Sequence, residues 1–564
     1  MAESKSPTHS LLQVIKDKVD SSPEKEIFFE KIGDQWIGYS YRQLATAIEF
    51  MRRALVKRGA GHGSFIGLVS TTSFLGEVLD KAIQSIGAIA VGLPNQLSVL
   101  EMNSTLHTIR LSGVICLDEI SYNEWTKADA IDPFWIWRAE VSWPSSKNDY
   151  LNFEEWIIDP QADAALMMTS GTTGDPKSIV FTQEQLYQSG NALIPQLEMI
   201  FKTEKPTKSI SWLPTYNATG RLLHTLSLIK EVPLYFVKDP RNIANSIYEI
   251  EPTVFFAPPR FYEKVYQEIT NQIRKKGLII EHLFHWSAVI KKWPILGAWF
   301  DTKIFKTLRS KVFGSNIQYL FSGSAPLRQD ILAFFIKIGL PIYECYGMTE
   351  IAQLIAINTP DQRRWGSVGK ITNGQNVIIS DEGEVLIKGP TVFNGYLKDP
   401  SPQYFTKEGF YRSGDLGYLK DDYIYLTGRK KEIIKTSNGQ RVSPQQIEHF
   451  FSEIEEIDFL IVIGDNLPYL TALISVDPIH FKEYKKMYGS NAEKNIRKEL
   501  QVKIDKLNYT LSKKDRIHGF ILIKDPLSLE KGQITRSLKI RREQLIKDFQ
   551  KEIHTLYAVE ESTG

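Results

Sequence analysis

A short segment rich in glycine, serine and threonine carries the groups that proteins use to bind phosphate. It runs Thr169-Ser170-Gly171-Thr172-Thr173-Gly174-Asp175-Pro176-Lys177. Its hydroxyl and backbone N–H groups can donate to phosphate oxygens, its glycines let the backbone approach closely, and Lys177 adds a positive charge. Pro176 stands where a Walker loop requires glycine, so the pattern does not predict a P-loop NTPase. Taken alone, the segment is also typical of a polar surface turn.

Five later segments bring acids, bases and aromatic side chains in a fixed order. They are Ser322-Gly323-Ser324-Ala325-Pro326-Leu327, Tyr346-Gly347-Met348-Thr349-Glu350, Tyr411-Arg412-Ser413-Gly414-Asp415, Gly428-Arg429-Lys430-Lys431-Glu432 and Thr535-Arg536-Ser537-Leu538-Lys539. Carboxylates can bind a hard cation such as Mg²⁺, and basic side chains can offset phosphate charge. Residues of these types could therefore act on a phosphate compound.

Together, the six segments closely resemble the motifs of the adenylate-forming superfamily, which contains acyl-CoA synthetases, nonribosomal-peptide adenylation domains and beetle luciferases. The resemblance covers about residues 30 to 545. It implies an enzyme that joins a carboxylate to the α-phosphate of ATP, releases pyrophosphate and then passes the acyl group to a thiol. ATP, Mg²⁺ and coenzyme A are the implied cofactors and co-substrates.

The same resemblance implies which residues bind the nucleotide. Those expected to hold the β- and γ-phosphates are Thr169, Ser170, Thr172, Thr173 and Lys177, with Gly171 and Gly174 in the same loop. Those expected around the adenine are Gly323, Ser324, Ala325, Tyr346, Gly347 and Met348, with Tyr346 stacking on the ring. Asp415 is expected to accept hydrogen bonds from the ribose hydroxyls, and Arg429 to support the ribose or a phosphate.

Three residues are implied at the reacting atoms. Thr349 is expected to donate to the α-phosphate, Glu350 to hold Mg²⁺, and Lys539 to bridge the carboxylate of the acid and the α-phosphate. Each prediction has a structural alternative. The alternatives are a helix N-terminal acid for Glu350, a core tyrosine for Tyr346, a turn-forming aspartate for Asp415, a surface ion pair for Arg429 and a solvated basic face for Lys539.

In this superfamily a small C-terminal lobe rotates between the two half-reactions, which implies a hinge and a thiol channel. Lys431 lies at the hinge position. Gly439 lies where the pantetheine arm of the thiol passes the backbone, although Asn438-Gly439 is also a plain tight turn.

Several segments look like the long-chain fatty acyl-CoA synthetase branch. They are 257–264, 389–396 and 435–439, together with Leu538, which replaces the usual glycine before the lysine. The stretch 277–305 lies where that branch carries an insertion, and its tryptophans beside lysines suit peripheral membrane contact. The alternative is a helical hairpin packed on the large domain. Asn217 stands where the family usually has histidine near the acyl carboxylate, and it cannot become cationic near neutral pH.

The strands and helices that must position these residues have sequence patterns that predict an α/β fold. Apolar strands are expected over 64–70 and 162–168, and Ser40 with Gln43 and Thr182 with Gln185 are capping-box patterns that begin helices. Short β-like segments over 374–429 form a β-rich subdomain. A small mobile α+β lobe follows, in which 459–463 and 470–476 pair as strands and Ser443 begins a helix with Gln446 as capping partner. The predicted domains are 1–429, for ATP and the acyl substrate, and 430–564, with the catalytic lysine.

Bulk properties exclude several other classes of protein. The 564 residues carry 68 basic and 66 acidic side chains, a formal charge of +2, which gives no reason to expect nucleic acid as a partner. The two cysteines do not suggest a disulfide framework. Neither a secretory signal nor a run of about 18 apolar residues is visible. A cytoplasmic protein is therefore expected, with peripheral contact at the inner face of a membrane through 277–305 left open as the less favoured alternative to the packed hairpin.

The leading functional hypothesis is a long-chain fatty acid–CoA ligase that acts on a medium- or long-chain acid. A second hypothesis is a fatty acyl-AMP ligase that loads an acyl carrier protein instead of CoA. A third is a catalytically degraded sensor of acyl groups or nucleotides. Glu350, Asp415, Arg429 and Lys539 argue against the third.

Overall fold

The computed structural model describes most of the chain. The described residues are 9–95, 97–129, 134–140, 153–169, 177–201, 206–275, 305–399, 402–454, 456–523, 525, 527–528, 531–534 and 540–561. The predictions for Ser170, Gly171, Thr172, Thr173, Gly174 and Lys539, and for 277–304 of the insertion, fall outside these residues.

One sheet of six strands comes from the N-terminal third of the chain. In sheet order its strands are β6 (Trp135–Arg138), β5 (Gly113–Cys116), β3 (Phe65–Val69), β4 (Ile89–Leu93), β7 (Asp163–Met168) and β8 (Ser178–Thr182). All neighbours pair in parallel except β7 and β8, which are antiparallel. β3 and β7 confirm the strands predicted over 64–70 and 162–168. The backbone N–H of Thr169 donates to the carbonyl of Lys177 at 2.8 Å, so the two ends of the predicted phosphate loop meet beside β7 and β8.

A second sheet of thirteen strands combines two kinds of pairing. In sheet order its strands are β16 (Asn376–Ile379), β17 (Glu384–Lys388), β18 (Tyr411–Lys420), β19 (Tyr423–Arg429), β15 (Lys370–Ile371), β14 (Leu354–Ile357), β13 (Ile342–Gly347), β12 (Tyr319–Ser322), β11 (Val254–Ala257), β9 (Ser209–Ser211), β10 (Leu234–Phe236), β1 (Glu26–Ile32) and β2 (Gln35–Ser40). The run from β13 to β1 is parallel, and the remaining pairs are antiparallel. The antiparallel part includes the β-rich region predicted over 374–429.

Helices pack on these sheets, as expected for α/β layers. In chain order they are α1 (Leu11–Ser21), α2 (Tyr41–Val56), α3 (Phe74–Ser85), α4 (Val99–Ile109), α5 (Glu119–Trp125), α6 (Gln183–Asn191), α7 (Ile194–Phe201), α8 (Ala218–Lys230), α9 (Ile243–Ile250), α10 (Pro259–Lys275), α11 (Lys306–Phe313) and α12 (Gln329–Lys337). Both predicted capping boxes are confirmed, Ser40 with Gln43 at α2 and Thr182 with Gln185 at α6. Helix α3 contacts strands of both sheets, and all twelve of its residues are buried.

The C-terminal lobe is an α+β unit with its own sheet. Its elements are β20 (Ile434–Lys435), β21 (Arg441–Val442), α13 (Pro444–Phe451), β22 (Ile457–Ile463), β23 (Leu470–Val476), α14 (Pro478–Tyr488), α15 (Ala492–Asn508), β24 (Ile517–Ile523), α16 (Arg542–Asp548) and α17 (Gln550–Glu561). The predicted pairing of β22 with β23 is confirmed and is antiparallel, and β24 adds in parallel. The predicted capping box at Ser443 is wrong, because its hydroxyl donates to the Thr427 carbonyl at 2.8 Å instead of capping α13.

Two expectations from composition can be compared with the structure. Cys116 and Cys345 are both free and buried, as expected for a chain without a disulfide framework. None of the helices in the described part of the chain is long and apolar enough to cross a bilayer.

A network of buried charges joins α3 to α8. Arg221 on α8 donates two hydrogen bonds, of 2.8 and 2.9 Å, to the carboxylate of Asp80 on α3, which also accepts one of 2.8 Å from Lys81. His224 lies 2.6 Å from Glu77. Burial by itself raises the pKa of Asp80, but the charges of Arg221 and Lys81 outweigh it and hold that pKa well below its ordinary value. Helix α3 can therefore lie between two sheets because its charged residues are paired.

Substituting Arg221→Ala should destabilise the large domain strongly, because Asp80 would keep a buried charge that has lost its main partner. The expected loss is about 3–5 kcal/mol in the free energy of unfolding, measured by tryptophan fluorescence in urea. Arg241→Ala is the matched control, since that side chain is 90% exposed in its pair with Asp239. Equal stability of the two variants would contradict this account of the network.

Candidate functional site

A cavity of about 3500 Å³ lies between the large domain and the C-terminal lobe. Its wall contains these predicted site residues: Thr169, Lys177, Asn217, Gly323, Ser324, Ala325, Tyr346, Gly347, Met348, Thr349, Glu350, Asp415, Arg429 and Lys431. Thus the structure brings residues that are up to 262 positions apart in sequence, Thr169 and Lys431, to one cavity. Gly439 is elsewhere, in an exposed turn with a φ of +81°.

Asp415 is the centre of a hydrogen-bonded group on this wall. Tyr346 donates from its hydroxyl to one carboxylate oxygen at 2.6 Å, and Arg429 donates from Nε to the other at 2.9 Å. Asp415 and Arg429 face each other in the register of β18 and β19. Burial raises the pKa of Asp415 above its ordinary value, and Arg429 opposes that rise. The group combines a buried carboxylate with an aromatic ring and a cation, which suits recognition of a polyhydroxy compound with phosphates.

Glu350 is the last residue of the predicted motif that begins at Tyr346. It lies in a single 3₁₀ turn over Thr349–Ile351. This placement also has the geometry of the structural alternative, an acid in the first turn of a helix. One oxygen of its carboxylate accepts a hydrogen bond of 2.9 Å from the Tyr396 hydroxyl. Its charge is the smallest of the effects that raise the pKa of Arg429, of which Asp415 is the largest, so Glu350 interacts electrostatically with the Arg429 side of the Asp415 group.

Lys177 reaches the cavity from the base of the predicted phosphate loop. Its ammonium donates to the Tyr404 hydroxyl at 2.6 Å and lies 3.8 Å from the carboxylate of Asp399. It also lies 4.5 Å from the ring centroid of Tyr396. The side chain is 47% exposed, so these contacts hold an ammonium that an incoming anion can still reach.

In the predicted adenine segment, the backbone at Gly323 lies close to Cys345 of the neighbouring strand β13. A side chain at Gly323 would place its first carbon 2.8 Å from the sulfur of Cys345, so glycine is required there. Ser324 has a φ of +75°, in the left-handed region. Among the described residues, the buried Ser322 hydroxyl in this wall has no hydrogen-bond partner.

Glu344 is a cavity residue that the sequence predictions missed. It lies on β13 two positions before Tyr346, and its carboxyl group accepts a hydrogen bond from the backbone N–H of Leu327. Burial raises the pKa of Glu344 to about 7, against the effect of that hydrogen bond. An acid inside the apolar run of β13 was the available signal, since such positions rarely carry charge without a partner.

The raised pKa of Glu344 predicts a stability that depends on pH. In the unfolded chain the carboxyl group ionises near pH 4.5, whereas in the folded protein it ionises only near pH 7. The stability that the protonated Glu344 contributes is therefore fully present below pH 4.5, and it is lost as the pH rises through about 7. Relative to wild type, Glu344→Gln should gain up to about 3 kcal/mol in the free energy of unfolding at pH 8 and nothing at pH 4.

Urea denaturation of both proteins across this pH range measures the effect. Glu24→Gln is the control, because that glutamate pairs with Arg42 at the surface and is 77% exposed. A difference between Glu344→Gln and wild type that does not vary with pH would contradict the assignment.

Asn217 has a clear local role as the N-cap of α8. Its side-chain oxygen accepts a hydrogen bond of 2.9 Å from the backbone N–H of Thr219. Asparagine is among the best N-cap residues. Because α8 begins in the cavity wall, its first N–H groups lie close to the space in which a substrate would bind.

Polar contacts join the C-terminal lobe to the large domain on both sides of the predicted hinge at Lys431. Lys430 donates at 2.5 Å to Glu382, in the turn between β16 and β17, and at 3.2 Å to Glu384 at the start of β17. Arg260 on α10 contacts both oxygens of Asp458 on β22, at 2.8 and 2.9 Å. Lys431 itself is exposed. These contacts are all between charged side chains.

Comparison with known proteins identifies the family. A sequence profile described as AMP-binding enzyme matches residues 15–397. The chain belongs to the AMP-binding enzyme family. A second profile, for the C-terminal domain of AMP-binding enzymes, matches residues 431–561. The family membership agrees with the resemblance inferred from the motifs.

Individual members of the family resemble the chain over nearly its full length. The long-chain-fatty-acid–CoA ligase FadD15 of Mycobacterium bovis is 26% identical, over 95% of each chain. The adenylation domain of the Mycobacterium chelonae carboxylate reductase has a TM-score of 0.73 at 18% identity, over 98% of this chain and 92% of that one. ATP-bound MatB from Rhodopseudomonas palustris has a TM-score of 0.71 at 20% identity, over 96% and 98%. These structures confirm the fold class, a large α/β domain followed by a smaller lobe.

Proposed function

We propose that this protein activates a carboxylic acid with ATP, forming an acyl-AMP and pyrophosphate, and then transfers the acyl group to coenzyme A. The observation that carries the proposal is the arrangement in one cavity of the Asp415 group with Glu350 and Lys177. A nucleotide whose ribose lies at Asp415 would extend its phosphates toward the other two. The ATP-bound relative MatB supports the same use of the fold.

The acid is proposed to be a medium- or long-chain fatty acid. The name of the FadD15 relative supports this class, as do the segments that look like the long-chain branch. The chain would then be a long-chain fatty acid–CoA ligase of the AMP-forming kind. Membrane contact through 277–305 remains part of the proposal, and so does the division into domains at 429 and 430.

The residues present fit Mg²⁺ bound together with a nucleotide. Mg²⁺ prefers oxygen ligands and commonly uses one or two carboxylates, with phosphate oxygens and waters completing its shell. Glu350 supplies one such carboxylate, and the described residues contain no group of three or more metal-ligating side chains that could hold an ion unaided. Bound Mg²⁺ would neutralise charge on the phosphates.

The protein's own residues then have distinct proposed tasks. Asp415 and Tyr346 hold the nucleoside, Lys177 binds the pyrophosphate that leaves, and Thr349 donates to the α-phosphate. Lys539 would lie between the acid and the α-phosphate, where its charge offsets the repulsion of two anions as they approach. Rotation of the lobe about Lys431 would remove Lys539 and bring Gly439 to the thiol.

The acceptor is tested by a pyrophosphate-release screen across acids of different chain length, with and without CoA. We expect release with medium- or long-chain acids, and acyl-CoA as the product. An acyl-AMP that is transferred only to a carrier protein would favour the second hypothesis, an acyl-AMP ligase. No release with any acid would favour the sensor.

Lys539→Ala tests the proposed catalytic lysine. The variant should lose acyl-AMP formation by several orders of magnitude while it binds ATP nearly as tightly as wild type, because the lysine would act on the reacting atoms rather than on the nucleoside. ATP affinity is measured by calorimetry and adenylation by pyrophosphate release. Lys531→Ala, a neighbouring basic residue, is the control, and unchanged adenylation in Lys539→Ala would refute the role.

A further inference from the structure

A segment of the antiparallel region joins the two halves of the candidate ATP site. We call Phe393–Asp399 the bridging segment. Near its start, the backbone N–H of Phe393 donates to the carbonyl of Glu350 at 2.9 Å. Four residues later, the N–H of Leu397 donates to the carbonyl of Ser178 at 2.9 Å, next to Lys177. The segment therefore sets the spacing between Glu350 and Lys177 through the backbone.

Tyr396, within the bridging segment, touches both residues through its side chain. Its hydroxyl donates to Glu350 at 2.9 Å, and its ring lies 4.5 Å from the Lys177 ammonium. Tyr411 contributes a further hydrogen bond to the Tyr396 hydroxyl.

Tyr404 provides a useful contrast, because its polar contacts are on the Lys177 side. Its hydroxyl accepts a hydrogen bond from Lys177 and donates one to Asp399. A ring face and an exposed ion pair each bind an ammonium weakly. Phosphate oxygens can therefore displace Asp399 and Tyr404 from Lys177, whereas the bond from Tyr396 to Glu350 can stay in place.

We propose that Tyr396 is a positioning residue of the nucleotide site: its hydroxyl orients the Glu350 carboxylate for Mg²⁺, while its ring lies beside the Lys177 ammonium, which the ring of Tyr404 also approaches at 4.6 Å. The inference rests on the proposed function for its ligand, ATP with Mg²⁺. A carboxylate with one oxygen fixed by a phenol presents its other oxygen in one direction, so less of its freedom is lost when the cation binds.

The test is calorimetric binding of ATP to the full-length protein with and without Mg²⁺. In wild type, Mg²⁺ should lower the Kd for ATP. We call the ratio of the Kd without Mg²⁺ to the Kd with Mg²⁺ the Mg²⁺ factor. In Tyr396→Phe that factor should fall by about threefold to tenfold, the range for one lost hydrogen bond of ordinary strength. ATP affinity without Mg²⁺ should change less than about twofold, because the ring against Lys177 remains.

Tyr404→Phe is the matched control and should leave the Mg²⁺ factor unchanged, since its hydroxyl is bonded to Lys177 and Asp399. In a Glu350→Gln background, Tyr396→Phe should have no further effect on that factor. Thermal melting checks that each variant is folded, and Phe keeps the ring contact with Phe393. The same Mg²⁺ factor in Tyr396→Phe and wild type would overturn the proposal.

Failure of this inference and failure of the proposed function give different results. If wild type binds ATP with Mg²⁺ but releases no pyrophosphate with any acid, the function is wrong and the Tyr396 measurement still decides the inference. If wild type adenylates acids and the Mg²⁺ factor is unaffected by Tyr396→Phe, the inference alone is wrong. If wild type does not bind ATP at all, both are wrong.

Discussion

The site depends on a change of partner along strand β13. Its first residues pair in parallel with β12, Ser322 opposite Glu344, and its last residues pair antiparallel with β14, Tyr346 opposite Ala356. One strand therefore ends the parallel run and begins the antiparallel one. Ligands of open α/β sheets bind at the carboxyl ends of parallel strands. In this chain that edge is continued by antiparallel strands, which add Asp415 and Arg429 to the wall.

Several consequences follow from that junction. The predicted adenine segment leaves the end of β12 beside Cys345 of β13. A side chain at position 323 would place its first carbon 2.8 Å from the Cys345 sulfur, which explains the glycine there. Tyr346 is buried against the antiparallel strands and so reaches Asp415. Glu350 follows after one turn, where the bridging segment meets it through the Phe393 backbone. Tyr346, Asp415 and Glu350 are thus placed by neighbouring stretches of one sheet edge, whereas Lys177 comes from the six-stranded sheet.

The sequence predicted the fold class, the order of the motifs and the main helix starts, because these depend on local patterns. Ser40 and Thr182 could be interpreted as caps since a capping box is a contact between near neighbours. Ser443 has the same pattern, yet its hydroxyl donates to Thr427, a residue of another strand. Glu344 and the Asp80–Arg221 pair were missed for the same reason. Burial and long-range partners decide the state of a charge, and neither is visible from spacing.

Asn217 shows how a departure from a family pattern can have a structural reason without losing proximity to the site. Histidine at this position could carry a charge near the acyl carboxylate, but it caps a helix less well than asparagine. Asn217 bonds the Thr219 N–H and so orders the first turn of α8 in the cavity wall. The positive end of that helix lies at the same wall and favours an anion there. Asparagine thus removes a titratable charge and leaves the helix terminus, whose dipole does not change with pH. The attraction for a carboxylate at this wall would then depend less on pH than histidine would make it.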